Sequence, residues 1–137
     1  MSFTQLMEAR DAVTVLIADD SGLFATALEA VLSGDEEIRV IGIAANGEEA
    51  LDLAREHAPD VALMDISMPV MDGFEAARLI TAELPRTAVL MLTGSAAEDD
   101  KRQAKAVGAA GYVTKDQMAV ALVRAIKEVV ADRRPLS

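Results

Sequence analysis

The sequence predicts a doubly wound α/β domain, with helices covering both faces of a parallel sheet. From Val13 onward, short apolar runs alternate with segments whose apolar residues recur at helical spacing. The runs are almost continuously hydrophobic, which suits strands that are buried on both faces. Glycine, proline, asparagine and aspartate fall between the segments, where turns are needed. Five βα units with right-handed crossovers then make a three-layer sandwich.

The elements follow one another regularly along the chain. The runs assigned to strands are Val13–Ala18, Ile38–Ile43, Asp60–Met64, Ala88–Leu92 and Ala110–Val113. The clearest helical sets are Phe24, Leu28, Val31 and Leu32, then Ala50, Leu53, Ala54 and His57, and finally Met118, Leu122, Ile126, Val129 and Val130. We expect an N-terminal extension over residues 1–12, one domain over residues 13–131, and the start of a linker or tail over residues 132–137.

Composition excludes several classes of protein. The 137 residues carry a net charge of −10, so the domain should repel nucleic acid and make no direct contact with it. Cysteine is absent, which rules out disulfides and thiolate metal sites. No apolar run approaches the ~20 residues that cross a bilayer, and residues 1–12 lack the apolar core of a signal peptide. We therefore expect a soluble, cytoplasmic protein without membrane contacts.

Reactive side chains follow four of the predicted strands. Asp19 and Asp20 come after the first strand, Asp65 after the third, Thr93 after the fourth and Lys115 after the fifth. The carboxyl ends of parallel strands share an edge, and ligands of open α/β sheets bind there. Three carboxylates, a hydroxyl and an ammonium suit a divalent cation, such as Mg²⁺, together with a phosphoryl group.

Several of the aspartates, and residues near them, also have simpler interpretations. An aspartate before a helix often caps it, although Ser21 can already cap the helix after Asp19 and Asp20. Asp72, before Gly73, is better explained as a turn and helix-start residue. Three methionines near Asp65 are interpreted as packing residues rather than ligands: Met64, Met68 and Met71.

The residues resemble the receiver domain of bacterial two-component response regulators. The resemblance is carried by Val15–Asp20, by Asp65–Gly73, by Leu92-Thr93-Gly94 and by Gly108–Lys115, and it spans roughly residues 13–131. It implies a flavodoxin-like (βα)5 fold with strand order 2-1-3-4-5.

The resemblance also implies roles for individual residues. Asp65 would accept a phosphoryl group from a phosphohistidine on a partner sensor histidine kinase. Asp20, Asp65 and the Ser67 carbonyl would hold Mg²⁺, with Asp19 supporting it through water. Thr93 and Lys115 would contact the phosphoryl oxygens, and Tyr112 matches the aromatic switch position. Such a protein promotes its own phosphorylation and dephosphorylation but is not an enzyme with a separate substrate.

Two departures from the family pattern bear on the output. Lys115 is followed by Asp116, which resembles the branch that carries a helix-turn-helix DNA-binding domain, whereas Ser21-Gly22 is less typical of that branch. Ser67 and Ser95 flank the site at positions that tune phosphoryl lifetime in the family. Dimerisation on phosphorylation stays open, because the faces of the first and last helices could both pair.

Other functions fit less well. A haloacid-dehalogenase-like phosphatase needs a second aspartate two residues after the nucleophile, and position 67 is serine. A nucleotide-hydrolysing switch needs a phosphate loop that this sequence lacks. The remaining alternative is a pseudo-receiver, which would use the same fold as a phosphorylation-independent binding module.

Overall fold

The structure, a computed structural model, describes residues 12–94, 97–117 and 119–133. Outside the described residues lie residues 1–11 of the predicted extension, Ser95 and Ala96, Met118, and residues 134–137. Among the helices that the structure describes, none is long and apolar enough to cross a membrane.

Five strands form one parallel sheet in the order β2-β1-β3-β4-β5, which confirms the predicted topology. The strands are β1 Val13–Ala18, β2 Ile38–Ala44, β3 Val61–Asp65, β4 Ala88–Thr93 and β5 Gly111–Thr114. The helices are α1 Gly22–Ser33, α2 Gly47–His57, α3 Gly73–Glu83, α4 Glu98–Ala106 and α5 Ala119–Arg133, with a 3-10 turn at Lys115–Gln117 between β5 and α5. Each strand lies within one residue of its predicted bounds.

The sheet separates two hydrophobic cores. Val15 and Ile17 point to one face, where α1 and α5 pack, and Leu16 and Ala18 point to the other, which α2, α3 and α4 cover. Successive strand residues face opposite sides, so a strand buried on both faces must be apolar at nearly every position. Burial on both faces therefore explains the continuous apolar runs in the sequence.

Side-chain caps fix where three helices begin. The Ser21 hydroxyl accepts a hydrogen bond from the Phe24 N–H at 3.2 Å, and the Asp72 carboxylate accepts one from the Glu75 N–H at 2.9 Å. Asn46 caps α2 in the same way. These caps confirm the interpretation of Ser21 and Asp72 as helix-start residues, and they leave Asp19, Asp20 and Asp65 to be explained otherwise.

The loop after β3 folds tightly against the strand end. The Gly73 N–H donates to the Ile66 carbonyl at 2.8 Å, and a Cβ at Gly73 would lie 1.9 Å from the Asp65 carbonyl oxygen. Only glycine permits this approach. Val70, in the same loop, is exposed and has a φ of 69°, an unusual conformation for a β-branched residue. This packing fixes the backbone from which the Asp65 side chain projects.

At the opposite end of the sheet, the amino edge, polar groups are closely paired. The Asp60 carboxylate accepts hydrogen bonds from the Thr14 N–H at 2.9 Å and the Thr14 hydroxyl at 3.2 Å. The buried Thr87 hydroxyl donates to the Pro59 carbonyl at 2.7 Å. These bonds satisfy the polar groups where β1, β3 and β4 begin.

Candidate functional site

Three carboxylates converge at the carboxyl edge of the sheet. Asp19 and Asp20 follow β1, and Asp65 ends the neighbouring strand β3. Each offers a carboxylate oxygen, and these oxygens all lie within 4.8 Å of one another. Asp19 is 2% exposed and Asp65 7%, whereas Asp20 faces solvent. The strand order therefore brings together residues that are 45 positions apart in the sequence.

Lys115 completes the cluster from the end of β5. Its Nζ lies 3.0 Å from Asp19 Oδ2 and 3.2 Å from Asp65 Oδ1, so one ammonium bridges the two buried carboxylates. The same Nζ lies 4.4 Å from the centre of the Phe24 ring on α1. A cation at that distance is attracted by the ring face, which helps to hold Lys115 over the site.

The ionisation of the site reflects competing effects. Burial, followed by the charge of Asp19, raises the pKa of Asp65, and the hydrogen bond from Lys115 only partly offsets this. Burial acts to lower the pKa of Lys115, but the hydrogen bonds to Asp19 and Asp65 outweigh it and raise that pKa. One ammonium is therefore too little positive charge for three crowded carboxylates.

The surroundings of Asp19 orient its carboxylate toward Lys115. Asp19 Oδ1 accepts a hydrogen bond from the Ser21 N–H at 2.8 Å, and Oδ2 receives Lys115. Both oxygens of this buried group thus have partners. Asp20 and Asp65 leave more room for an added ligand.

Thr93 and Tyr112 lie on the adjacent strands. Thr93 is buried at the end of β4, and its hydroxyl lies 3.5 Å from Asp100 Oδ2 in the first turn of α4. Tyr112 is half-buried on β5 against the core under α3 and α4, and Lys101 Nζ lies 5.9 Å from its ring centre. The resemblance implies a phosphoryl contact for Thr93 and a switch role for Tyr112, and both residues lie beside α4.

An open cleft of about 480 Å³ adjoins the acidic cluster. Its walls come from the end of β1, the loop after β3 and the start of α3: Asp20, Ile66, Ser67, Met68, Pro69, Asp72 and Phe74. Ser67 is exposed in this wall, two residues after Asp65. A ligand that reaches Asp65 from solvent can therefore pass Asp20 and Ser67.

The donor set fits a hard divalent cation. Carboxylate oxygens of this kind are the preferred ligands of Mg²⁺. A bound dication would relieve the charge repulsion that, after burial, contributes to the raised pKa of Asp65. Mg²⁺ usually binds through one or two carboxylates and keeps several waters, so Asp20 and Asp65 with a loop carbonyl would be enough.

Sequence reasoning missed two residues around the site. Phe24 was placed only by its helical spacing, although its ring lies against Lys115. Asp100 belongs to an acidic helix start, and its proximity to Thr93 depends on how α4 packs beside β4. Neither contact has a sequence signal, because each joins residues on different elements.

The parallel sheet, with a carboxylate cluster and a lysine at its carboxyl edge, places the chain among doubly wound α/β domains, whose ligand sites lie at that edge. The family described as response regulator receiver domain matches residues 15–127. The chain belongs to this family, and it is the receiver domain of a two-component response regulator.

Relatives from several bacteria share this domain. The chain is 41% identical over 117 residues to the transcriptional regulatory protein LnrK of Bacillus subtilis, covering 85% of this chain and 53% of the relative. It is 38% identical over 125 residues to the response regulator GacA of Pseudomonas aeruginosa, covering 91% of this chain and 58% of GacA. The chain thus spans about half the length of these curated relatives.

Solved structures of response regulator domains share this fold. The signal receiver domain of the putative response regulator NarL from Mycobacterium tuberculosis superposes with a TM-score of 0.84 at 35% identity, covering 90% of this chain and 99% of that one. The response regulator domain of Thermotoga maritima CheB gives a TM-score of 0.83 at 30% identity, with coverage of 90% and 99%.

Proposed function

We propose that Asp65 accepts a phosphoryl group from a phosphohistidine of a sensor histidine kinase in a Mg²⁺-dependent reaction, and that the aspartyl phosphate switches an output. The observation that carries this proposal is the position of the Asp65 carboxylate. It lies 3.2 Å from the Lys115 ammonium and within 4.8 Å of the other two carboxylates, beside an open cleft.

The transfer is a displacement at phosphorus. A carboxylate oxygen of ionised Asp65 attacks the phosphorus while its bond to the imidazole nitrogen breaks, and that nitrogen keeps the bonding electron pair. The other ring nitrogen of the phosphohistidine carries a proton in this step, so the products are an aspartyl phosphate and a neutral histidine. Catalysis of this kind depends on positioning and charge stabilisation. The Gly73 contact fixes the strand end that presents Asp65, and Lys115 stays close enough to pair with a phosphoryl oxygen.

We assign the cation to Asp20, Asp65 and the backbone carbonyl of Ser67, with Asp19 supporting it through water. When bound, Mg²⁺ supplies positive charge that neutralises the carboxylates and the incoming phosphoryl oxygens. The aspartyl phosphate carries up to about two negative charges in place of the single charge of Asp65, and the site holds two further aspartates. Lys115 alone would be outweighed, and the reaction should therefore require the metal.

The switch would be read out through Thr93 and Tyr112. A phosphoryl oxygen on Asp65 gives the Thr93 hydroxyl a strong acceptor, in competition with Asp100 at 3.5 Å. Movement of Thr93 would leave space for the half-buried ring of Tyr112 to turn inward. The surface of α4, β5 and α5 would then change shape, and a partner or a second copy would recognise it.

We infer transcription as the output, through a DNA-binding domain outside the described residues. LnrK is named a transcriptional regulatory protein, and this chain covers 53% of it. The acidic receiver itself would make no contact with DNA, act on no separate substrate and work in the cytoplasm. The alternative is a pseudo-receiver that binds partners without phosphorylation; the complete set of Asp19, Asp20, Asp65, Thr93 and Lys115 favours the phosphorylated form.

The test is the intact mass of the protein after incubation with acetyl phosphate, with and without Mg²⁺. We expect one phosphoryl adduct, formed only with Mg²⁺ and absent in Asp65→Asn. Asp72→Asn is the matched control, since it makes the same chemical change a short distance away and asparagine still caps α3. It should be phosphorylated like the parent protein.

Two outcomes would contradict the proposal. An unchanged adduct in Asp65→Asn would place the phosphoryl group elsewhere. No adduct with acetyl phosphate or with a phosphorylated sensor kinase, in a protein whose Mg²⁺ titration shows no binding, would establish a pseudo-receiver instead. Lys115→Ala, tested alongside, should accept the phosphoryl group poorly, because it removes the ammonium nearest Asp65.

A further inference from the structure

A second concavity lies on the helical face formed by α1 and α5. This groove has a volume of about 720 Å³ and is mainly apolar along its floor. Its walls are the end of α1 and the second half of α5: Val31, Gly34, Asp35, Val123, Arg124, Lys127, Glu128 and Ala131. Both helices run from the carboxyl edge of the sheet back to the amino edge. The groove therefore lies toward the end of the domain opposite the acidic site.

The apolar surface in the groove is contiguous rather than scattered. Val31 is 40% exposed, and Val123 is only partly buried against the core beneath it. A single exposed valine is ordinary, whereas an apolar concavity between two helices has a shape into which another apolar segment can pack.

The chain enters the fold beside this groove. The Val13 N–H at the start of β1 donates to the Glu37 carbonyl at 2.7 Å. Lys127, in the groove wall, lies 3.0 Å from Asp35 and 3.6 Å from Glu37. The loop from Asp35 to Glu37 thus joins the first residues of β1 to the rim of the groove. The first residue of β1 therefore lies near the rim of the groove.

The preceding residues have the composition that such a groove would bind. The sequence Met1–Asp11 contains Phe3, Leu6 and Met7 at the i, i+3, i+4 spacing of an apolar helix face. Eleven residues span about 16 Å as a helix and at most about 36 Å extended, which is enough to run along the second half of α5. Glu8 and Arg10 supply one charge of each sign, and the rim offers Arg124 and Glu128.

We propose that residues 1–11 lie in the α1–α5 groove of their own chain, with Phe3, Leu6 and Met7 against Val31 and Val123. A short tether makes this contact intramolecular, so modest apolar burial is sufficient to hold it. The bound segment would cover the α1–α5 face and exclude a second copy from it. Phosphoryl uptake at Asp65 would be unaffected, because the groove and the acidic site lie at opposite ends of the helices.

The test is paramagnetic broadening in the full chain. The protein has no cysteine, so Ser2→Cys gives a single site for a nitroxide label without further substitutions. An intramolecular tether gives a millimolar effective concentration, so the segment should occupy the groove much of the time and hold the label close to it. The Gly34 and Val123 amide signals should therefore lose at least about half of their intensity. The Gly47 signal, at the start of α2 on the other face of the sheet, should keep its intensity.

Matched variants separate docking from mere proximity. Adding F3S and L6S removes the apolar contacts and should restore the Gly34 and Val123 signals. Adding T4S and Q5S changes two polar positions of the same segment and should leave the broadening in place. All four substitutions lie outside the helices and strands that the structure describes, so those elements keep their own sequence.

Two results would overturn the proposal. Broadening that is equally strong in the F3S/L6S protein, or that is absent from the groove, would show that the segment does not dock there. Broadening of the same signals in isotope-labelled, unmodified protein after mixing with spin-labelled protein without isotope would assign the groove to a second copy. Neither result depends on whether Asp65 is phosphorylated, so this inference and the proposed function fail separately.

Discussion

Two aspartates at opposite edges of the sheet have pKa values that are shifted in opposite directions. At the carboxyl edge, Asp65 is buried beside Asp19, and burial together with that charge raises its pKa. Near the amino edge, Asp35 accepts a hydrogen bond from Lys127 and another from the Glu37 N–H, which lower its pKa. The hydrogen bonds to Asp35 thus favour its ionisation, whereas burial and the neighbouring charge oppose the ionisation of Asp65.

This difference separates an edge with paired carboxylates from an edge with crowded ones. A carboxylate whose oxygens all have hydrogen-bond or ion-pair partners stabilises the fold and gains little from binding another ligand. Crowded carboxylates with one shared ammonium cost folding free energy, and a cation or a phosphoryl group changes that balance. The site therefore carries an electrostatic cost, which the packing of the cores on both faces of the sheet must offset.

The largest expected effect tests how tightly the carboxyl edge is built. Gly73→Ala should destabilise the protein by roughly 3 kcal/mol or more, because the new Cβ would lie 1.9 Å from the Asp65 carbonyl oxygen and the backbone must move. Chemical denaturation would measure the change. Gly22→Ala is the control: its Cβ meets nothing within 4 Å and its φ is not in the left-handed region, so the change should stay within about 0.5 kcal/mol. Similar losses in both variants would contradict the packing described for the loop.

The next effect tests the paired character of the amino edge. Asp60→Ala should cost about 1–3 kcal/mol, because it leaves the Thr14 N–H and hydroxyl without their shared acceptor in a partly buried position. The free energy of unfolding in urea is the appropriate measurement. A neutral result would mean that water replaces the carboxylate without loss, and the amino edge would then be less rigid than its hydrogen bonds indicate.

At the carboxyl edge, removal of a charge should instead stabilise. Asp65→Asn should raise the free energy of unfolding by about 0.5–2 kcal/mol at neutral pH without Mg²⁺. The pKa of Asp65 is raised above its ordinary value of 3.8, so the unfolded chain ionises first as the pH rises, and ionisation favours unfolding. The gain should be complete above the native pKa and vanish below pH 3.8. A destabilised Asp65→Asn protein would show that the bond to Lys115 outweighs the crowding.

The smallest effect is expected for Asp35→Asn, the corresponding change near the amino edge. The lowered pKa of Asp35 stabilises the native state above its ordinary value of 3.8, and this contribution is lost as the pH falls through the native pKa. The ion pair with Lys127 is partly exposed, so the melting temperature at neutral pH should fall by only about 1–2 °C. Calorimetry should show the same melting temperature for both proteins at strongly acidic pH. A rise at neutral pH would remove the contrast between the two edges.

Much of the fold was predictable because its signals are local. Continuous apolar runs such as Val61–Met64 indicate strands buried on both faces, and Ser21, Asn46 and Asp72 mark the starts of helices by their capping chemistry. The strand order followed from the family resemblance and is confirmed. Several observed strand ends differ from the predicted ones by one residue. Strand propensity changes gradually along the chain, whereas the ladder of hydrogen bonds ends at a definite residue.

The sequence by itself determined the elements, the absence of thiol chemistry and the residue types that a phosphoryl site requires. Tertiary structure alone decided the distances: that Lys115 bridges Asp19 and Asp65, that Phe24 lies against its ammonium, and that Asp100 approaches Thr93. It also decided that α1 and α5 enclose an apolar groove beside the start of β1. The physical reason is that periodicity and capping act over a few neighbouring residues. Contacts between strand ends and helices depend instead on how whole elements pack across the sheet.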